Sequence, residues 1–314
     1  KNLKIISLSL LVACSNGDTN PVDDDTSGES TYPWDARFDA TAEAFVDELE
    51  ALGAPGVSIA ILEKGAITFS QGFGLRHPDG IGGAPNGDTL YRIGSVTKMM
   101  SAVSLLQQMD TTDTARTEVL QTLMPELSFA LAPMRTSEVQ LHHLLTHQGG
   151  FYDWTPIAGA SEAEFMDTFI QTTFAENEPF ISPAGAFHNY ANPNYMMAGY
   201  AAQILDGTRY YSDIMNEDIF EPLAMTRTFF EATDVLADDN FASGATIDWT
   251  GATTDSKIAG PESYDHAAMR PAGFAWSSVN QLVRFADFLM KGNTAILSNT
   301  SRTAMLGPQV DTQV

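Results

Sequence analysis

Hydrophobic positions in the first third of the chain switch from helical to extended spacing. From Asp35 to Leu52 apolar side chains recur every three or four residues, which predicts an amphipathic helix that stops at Gly53. Val57 to Leu62 and Ala66 to Phe69 are apolar, partly β-branched runs on either side of a Glu63-Lys64-Gly65 turn. That pattern predicts a β-hairpin after the helix.

Helical spacing dominates the rest of the chain. Residues 71–90 are rich in Gly, Pro and Asp and are predicted as loop, and a second helix is predicted from about Ser95. Helical patterns outnumber strand signals between about 110 and 265, and Ser278 to Lys291 is again amphipathic. Early strands, a helical subdomain at about 110–265 and a return toward the first layer predict an α+β fold.

The beginning of the chain has the layout of a secretory signal. Lys1 and Lys4 precede an apolar run from Ile5 to Val12, which is too short to span a bilayer as a helix. Residues 1–13 are therefore predicted to be a signal peptide. Residues 14–36 are polar and acidic and are predicted to be a flexible tether, which leaves 37–314 as the folded domain.

The composition of the chain argues against some classes of binding partner and excludes one kind of cross-link. The chain has 40 acidic and 16 basic residues, a formal net charge of -24, and 44% hydrophobic residues. A charge of this sign repels phosphate backbones and anionic lipid headgroups, so it argues against nucleic-acid binding. The single cysteine excludes an intramolecular disulfide framework.

Ser95 and Lys98 form a candidate nucleophile and base at the start of the second predicted helix. Three residues apart, their side chains share one face of that helix near its electropositive N-terminus. A serine hydroxyl needs an adjacent base, and a buried lysine can supply one once desolvation has lowered its pKa. Ser-x-x-Lys alone is expected about once by chance in a chain of this length, and it then represents a helix cap with a surface lysine.

The wider context favours catalysis. The ten residues from Thr89 to Lys98 resemble the stretch around the nucleophile of class C beta-lactamases and of the related esterases and D-amino-acid peptidases. Tyr190-Ala191-Asn192 is similar to the Tyr-x-Asn motif of that branch. The resemblance implies that Ser95 is acylated, that Lys98 and Tyr190 move protons, and that Asn192 holds Lys98 and a substrate carbonyl.

Two expectations attach to Tyr190. A phenol beside an ammonium is expected to have a lowered pKa, which would help it relay protons between nucleophile and leaving group. Without Ser95 upstream, Tyr190 would instead be interpreted as a core aromatic at the start of the helix that follows.

Further segments extend the resemblance over about residues 37–306. They are Ala54–Ala60, Leu144–Gly150 with Gly149 in place of the family's serine, Ile219–Thr226 and Pro271–Phe274. The resemblance implies the beta-lactamase/transpeptidase-like α+β fold, in which an antiparallel sheet flanked by helices meets a mostly helical subdomain at the active site. It implies no cofactor.

Two features of the family are placed differently or absent. His147 invites a Ser-His triad, but it lies in a segment that resembles a structural part of the family, and His142, His143 and His147 lack the spacing of metal ligands. The family's late His-x-Gly or Lys-x-Gly element is not found, since His147-Gln148-Gly149 precedes Tyr190. We therefore expect this chain to lack C-terminal strands that would pair with Val57 to Phe69, and to be impaired without them.

Leu11-Val12-Ala13-Cys14 resembles the bacterial lipobox. The resemblance implies that Cys14 is lipidated and that the protein is an exported bacterial lipoprotein on a periplasmic or cell-surface face, touching the membrane only through that anchor. The alternative is an ordinary signal peptide with an incidental cysteine.

The sequence thus predicts a serine hydrolase that works through a Ser95 acyl-enzyme. The candidate substrates are small-molecule esters, beta-lactams and D-amino-acid peptides, with esters favoured. Two alternatives remain: a D,D-peptidase or transpeptidase-like enzyme acting on cell-wall peptides, and a non-catalytic binding protein that retains the fold.

Overall fold

The computed structural model describes residues 12–15, 35–52, 54–156, 159–244 and 260–310. Most of the predicted signal peptide and tether, residues 1–11 and 16–34, therefore lies outside the described residues. Within the described ranges, no helix has the length and apolar character needed to cross a membrane.

Helices are the commonest regular elements of the described chain. The α-helices are α1 Asp39–Leu52, α2 Thr97–Thr112, α3 Leu120–Leu123, α4 Arg135–Glu138, α5 Leu141–Leu145, α6 Phe165–Phe169, α7 Ala175–Asn177, α8 Asn192–Asp206, α9 Tyr211–Met215, α10 Ala232–Asp238, α11 Arg270–Gly273, α12 Val279–Lys291 and α13 Asn299–Leu306. Single turns of 3-10 helix cover Ala36–Phe38, Gly94–Val96, Pro261–Tyr264 and Ala267–Met269, and π-helical turns cover Ile170–Phe174 and Asn216–Phe220.

The strands are fewer and shorter. They are β1 Val12–Ser15, β2 Gly56–Glu63, β3 Ala66–Gly74, β4 Tyr91–Arg92 and β5 Trp276–Ser277. The α+β class and the order of elements predicted from the sequence are confirmed, including the helix from Ser278 to Lys291, which is α12.

The chain divides into two compact units. The first comprises Lys1–Tyr91, Ala224–Glu262 and Trp276–Met290, and the second comprises Arg92–Leu223, Ser263–Ala275 and Lys291–Val314. The predicted helical subdomain at about 110–265 overlaps most of the second unit, while its last segment belongs to the first.

In the first unit, the predicted hairpin is present, and a helix packs against each of its faces. β2 and β3 pair antiparallel through a turn in which Lys64 and Gly65 both have positive φ, the backbone of a two-residue hairpin turn. Side chains alternate across the pleat, so Ile59 and Ile61 pack toward Ala42 of α1, and their neighbours Ala60 and Leu62 pack toward Val279 and Val283 of α12. This alternation buries both faces of β2.

The second hairpin strand is longer than the sequence predicts. The loop was predicted from residue 71, but β3 continues to Gly74, which pairs with Gly56. Glycine lowers the propensity of a segment to form a strand, and here packing explains why a glycine stands inside β3. A Cβ at Gly72 would lie 2.3 Å from the carbonyl oxygen of Pro85, so the backbone of the following loop approaches β3 where only glycine leaves room.

β1 adds a third strand to the hairpin. Val12–Ser15 run parallel to β2, with Cys14 opposite Leu62, and the strand order is β1-β2-β3. Cleavage before Cys14, as the lipobox resemblance implies, would remove Val12 and Ala13 from this strand.

The second unit is built around two long helices and one short one. α2 and α8 pack against each other, and α11 contacts both. Ser101 of α2 donates a hydrogen bond to the carbonyl of Pro271 in α11 (2.7 Å) and also bonds the Tyr211 hydroxyl (2.8 Å). The three helices therefore form a fixed frame in which α11 is held by both packing and buried hydrogen bonds.

The contact between α8 and α11 predicts the effect of filling a glycine. A Cβ at Gly199 would lie 2.1 Å from Cγ of Pro271. Alanine would gain about 1 kcal/mol of helix propensity, but overpacking costs about 1–3 kcal/mol. We expect Gly199→Ala to lower the free energy of unfolding in denaturant titrations, whereas Gly260→Ala, where a Cβ meets nothing within 4 Å, leaves it unchanged. Greater stability of the Gly199→Ala protein would contradict the packing described.

Candidate active site

Ser95 lies in the 3-10 turn that leads into α2. Gly94 adopts a positive φ of 53°, and the Thr97 hydroxyl donates to the Gly94 carbonyl (2.7 Å), which closes the turn. Ser95 is exposed, whereas Lys98, one turn later, is buried. Their side chains meet as the sequence spacing predicts, with Lys98 Nζ 3.0 Å from Ser95 Oγ.

Lys98 Nζ has three polar neighbours, and two of them can only accept hydrogen bonds. Asn192 Oδ1 is 2.7 Å away, and the carbonyl oxygen of Ala272 in α11 also accepts from Nζ. A neutral amine has two N–H groups and one lone pair. Because the two carbonyl oxygens take both N–H groups, the lone pair is left for the hydroxyl of Ser95.

Burial also favours the neutral form of this amine. Desolvation lowers the pKa of Lys98 from its ordinary value near 10.5 to about 8, and the negative charge of Asp153 opposes this shift without cancelling it. A shift of this size corresponds to about 3 kcal/mol in favour of the neutral amine. A base is therefore available near neutral pH.

Tyr190 contacts both Ser95, the candidate nucleophile, and Lys98. Its hydroxyl is 2.6 Å from Ser95 Oγ, and its ring centroid is 4.9 Å from Lys98 Nζ. The expected lowering of its pKa is wrong in direction. Burial raises the pKa of Tyr190, the hydrogen bond with Ser95 opposes the rise, and the charge of Asp153 adds to it. Tyr190 is thus a phenol at neutral pH and is suited to donate a proton.

Asn192 is the first residue of α8, and its amide is fully engaged. Its Oδ1 accepts from Lys98, while its Nδ2 donates to Oδ1 of Asp153 (3.2 Å) and to Oγ1 of Thr155 (2.8 Å). The backbone N–H of Asn192 also donates to Asp153 (2.8 Å). The geometry agrees with the predicted contact to Lys98, but it leaves the amide nitrogen committed to protein acceptors rather than to a substrate carbonyl.

His147 packs against the Tyr190 ring and binds the backbone of the next residue. Its ring lies 4.3 Å from the Tyr190 ring, and its Nδ1 accepts the backbone N–H of Ala191 (3.2 Å). Burial, aided by the positive charge of Lys98, lowers the pKa of His147 to about 4, so the ring is neutral. The structure thus places His147 as a packing partner of the Tyr190 segment, as the sequence analysis interpreted it.

The other two residues of the His147-Gln148-Gly149 segment are also hydrogen-bonded within the protein. The Gly149 N–H donates to Oδ1 of Asn194 (3.1 Å), and a Cβ at this position would lie 2.4 Å from that same atom. Glycine in place of the family's serine therefore fits the local packing. Gln148 accepts a hydrogen bond from the Thr146 hydroxyl (3.0 Å).

The structure thus brings together Ser95, Lys98, Tyr190 and Asn192, the predicted catalytic and substrate-binding residues, all of them in the second unit. It adds Asp153, Thr155 and Ala272, which the sequence analysis missed. Asp153 and Thr155 precede Asn192 by more than 35 positions, and no local pattern marks such a contact. Among the described residues there is no cluster of three side chains that could hold a metal ion.

Comparison with known proteins identifies the family. The Beta-lactamase family model matches residues 38–313, so the chain belongs to the beta-lactamase family and has its α+β fold. Among solved structures, this chain is similar to the D-amino acid amidase of Ochrobactrum anthropi, solved with L-phenylalanine amide. That structure superposes with a TM-score of 0.68 at 23% identity, covering 85% of this chain and 73% of the amidase chain.

Two curated relatives are similar over different lengths. An unguisins hydrolase of Aspergillus campestris is 25% identical over 296 residues, which cover 88% of this chain and 51% of that protein. Esterase EstB of Burkholderia gladioli is 32% identical over 120 residues, covering 38% of this chain and 29% of the esterase. The chain thus spans about half the length of the first relative and less than a third of the second.

The pKa of Lys98 predicts how the reactivity of Ser95 depends on pH. Only the neutral amine can accept the serine proton, so the rate of Ser95 modification by a fluorophosphonate should rise with pH through about 8 and level off above it. Lys98→Arg should lose this rise, because a guanidinium remains charged over the whole range. A wild-type rate that does not change between about pH 6 and about pH 9.5 would show that Lys98 is not the base.

Proposed function

We propose that this protein is a serine hydrolase that transfers an acyl group to Ser95 and then to water. The observation that carries the proposal is the surroundings of Lys98 Nζ, where two carbonyl oxygens leave the lone pair of the amine to Ser95. A serine that is hydrogen-bonded to a base with a pKa near neutrality is an activated nucleophile.

In the acylation step, neutral Lys98 removes the proton of Ser95 as Oγ bonds to the substrate carbonyl carbon. The bond from that carbon to the leaving oxygen then breaks, and the leaving oxygen takes the proton of the Tyr190 phenol. Lys98 returns its extra proton to Tyr190, so both groups regain their starting state. The raised pKa of Tyr190 suits this role, since it keeps the phenol protonated until the leaving group departs.

Deacylation uses the same groups on water. The oxygen of a water molecule attacks the acyl carbon while Lys98 accepts a proton from that water. The bond between the acyl carbon and Ser95 Oγ then breaks. Ser95 recovers a proton from Lys98, and the carboxylic acid leaves. No additional reactant is needed.

We further propose carboxylic esters as the favoured substrate class. One curated relative is named an esterase, which supports esters, while another is named an unguisins hydrolase and a solved relative is a D-amino acid amidase. Beta-lactams and peptides ending in D-amino acids, including cell-wall peptides, are the alternatives. The net charge of -24 argues against polyanionic substrates.

The proposal predicts a single covalent adduct. Incubation with a fluorophosphonate should add one phosphonyl mass to the intact protein, and Ser95→Ala should abolish the addition. Ser161→Ala replaces another exposed serine and should leave the adduct unchanged. A folded wild-type protein that gains no mass would leave the non-catalytic binding protein as the better account.

We also propose that Cys14 is lipidated and that the protein is exported to a periplasmic or cell-surface membrane face. The support is the apolar run before Leu11-Val12-Ala13-Cys14. In a bacterial host, Cys14→Ser should move the protein from the membrane fraction to the soluble one and remove the acyl mass. An unmodified Cys14 in the wild-type protein would contradict this proposal and favour an ordinary signal peptide.

A further inference from the structure

The segment from Asp153 to Thr155 alternates between two neighbours. Asp153 and Thr155 both accept hydrogen bonds from the side-chain amide of Asn192. Trp154, between them, points the other way and donates its indole N–H to the carboxyl group of Glu178. Such alternation is the geometry of an extended backbone, in which successive side chains face opposite sides.

The indole side of this segment is anchored in the core. Glu178 is fully buried, and the Trp154 ring lies 6.2 Å from the ring of Phe174, which is also fully buried. Trp154 itself is partly buried, and a packed tryptophan with its N–H bonded has little rotational freedom. The backbone that carries the exposed side chains of Asp153 and Thr155 is therefore held from the core.

The Asn192 amide can point in two ways, and its neighbours distinguish them. In the observed orientation, both N–H groups face acceptors and Oδ1 faces Lys98. A flipped amide would place its carbonyl oxygen against the Asp153 carboxylate. It would also place its N–H groups against the Lys98 amine, where they would compete with Ser95 for the lone pair.

We propose that Asp153 and Thr155 are positioning residues that hold the Asn192 amide with its carbonyl oxygen on Lys98, so that the amine's lone pair is directed at Ser95. The inference rests on the proposed acyl transfer and extends it to two residues that do not touch the nucleophile. Asp153 provides a charged acceptor, and Thr155 provides a neutral one that completes the pair.

Asp153 has a second role that any test must separate. It also accepts the backbone N–H of Asn192, the first residue of α8, and a carboxylate at a helix N-terminus stabilises the helix. Thr155, in contrast, contacts the side-chain amide. Thr155→Val thus removes an amide acceptor without touching the helix end, and Thr155→Ser keeps the hydroxyl.

The experiment measures the second-order rate of Ser95 modification by a fluorophosphonate from about pH 6 to about pH 10, together with the melting temperature, on the full chain. We expect Thr155→Val to react about tenfold more slowly with an unchanged melting temperature, and Thr155→Ser to react at nearly the wild-type rate. Asp153→Asn should react more slowly at its plateau, and the midpoint of its pH profile should move to lower pH because a negative charge near Lys98 is lost.

The matched control is Asp213→Asn, which makes the same charge change at an exposed position of α9 and should keep the wild-type rate and profile. The positioning role is overturned if Thr155→Val keeps the wild-type rate, or if Thr155→Ser is slowed as much as Thr155→Val. It is also overturned if Asp153→Asn lowers only the melting temperature.

A second measurement separates this inference from the proposed function. In ¹⁵N NMR, hydrogen exchange of the Asn192 side-chain amide should be slow in the wild-type protein and at least about tenfold faster in Thr155→Val, whether or not Ser95 reacts. Failure of the wild-type protein to form an adduct would count against the proposed function. Equal exchange in the two proteins would count against the amide orientation alone.

Discussion

The site depends on one buried amine and the two carbonyl oxygens beside it. Lys98 Nζ contacts Asn192 Oδ1, the Ala272 carbonyl and Ser95 Oγ. If either carbonyl were replaced by a donor, that donor would compete with Ser95 for the lone pair of the neutral amine. Burial lowers the pKa of the amine, and the two carbonyl oxygens orient its lone pair toward Ser95.

The packing of the second unit brings the two carbonyl oxygens and the serine hydroxyl around one atom. Ser95 lies in the 3-10 turn just before α2, and Lys98 is the second residue of α2. α8 begins with Asn192, and α11 contributes Ala272. A buried charged lysine is costly, and here the lowered pKa shows that the cost of desolvation exceeds the attraction of Asp153. In the proposed mechanism, the local stability lost in this way is exchanged for the reactivity of the amine as a base.

Sequence reasoning located the parts of the fold and site that have a local pattern. The hairpin follows from a period of two with a Lys64-Gly65 turn, and the meeting of Ser95 with Lys98 follows from the three-residue spacing of a helix. The extra length of β3 was missed because Gly72 lowers strand propensity, and its reason is a close approach by Pro85 that is distant in sequence.

The remaining errors concern effects that only the assembled site contains. Asp153 and Thr155 contact Asn192 from a loop, and no hydrophobic periodicity in the sequence predicts where that loop runs. The pKa of Tyr190 was expected to fall because an ammonium was assumed beside it. In the structure that amine has a pKa of about 8, and burial together with the Asp153 charge raises the pKa of the phenol. Burial and long-range charge are properties of the folded chain, so the direction of a pKa shift depends on them.

The most direct test of this account is the titration of Lys98 itself, followed by NMR of protein carrying ¹³C at the lysine ε position, with Lys98→Arg to assign the signal. We predict a midpoint near 8, well below that of an exposed lysine. A midpoint at or above about 10.4 would contradict the account, because Lys98 would then be an ammonium with no lone pair to offer Ser95 at neutral pH.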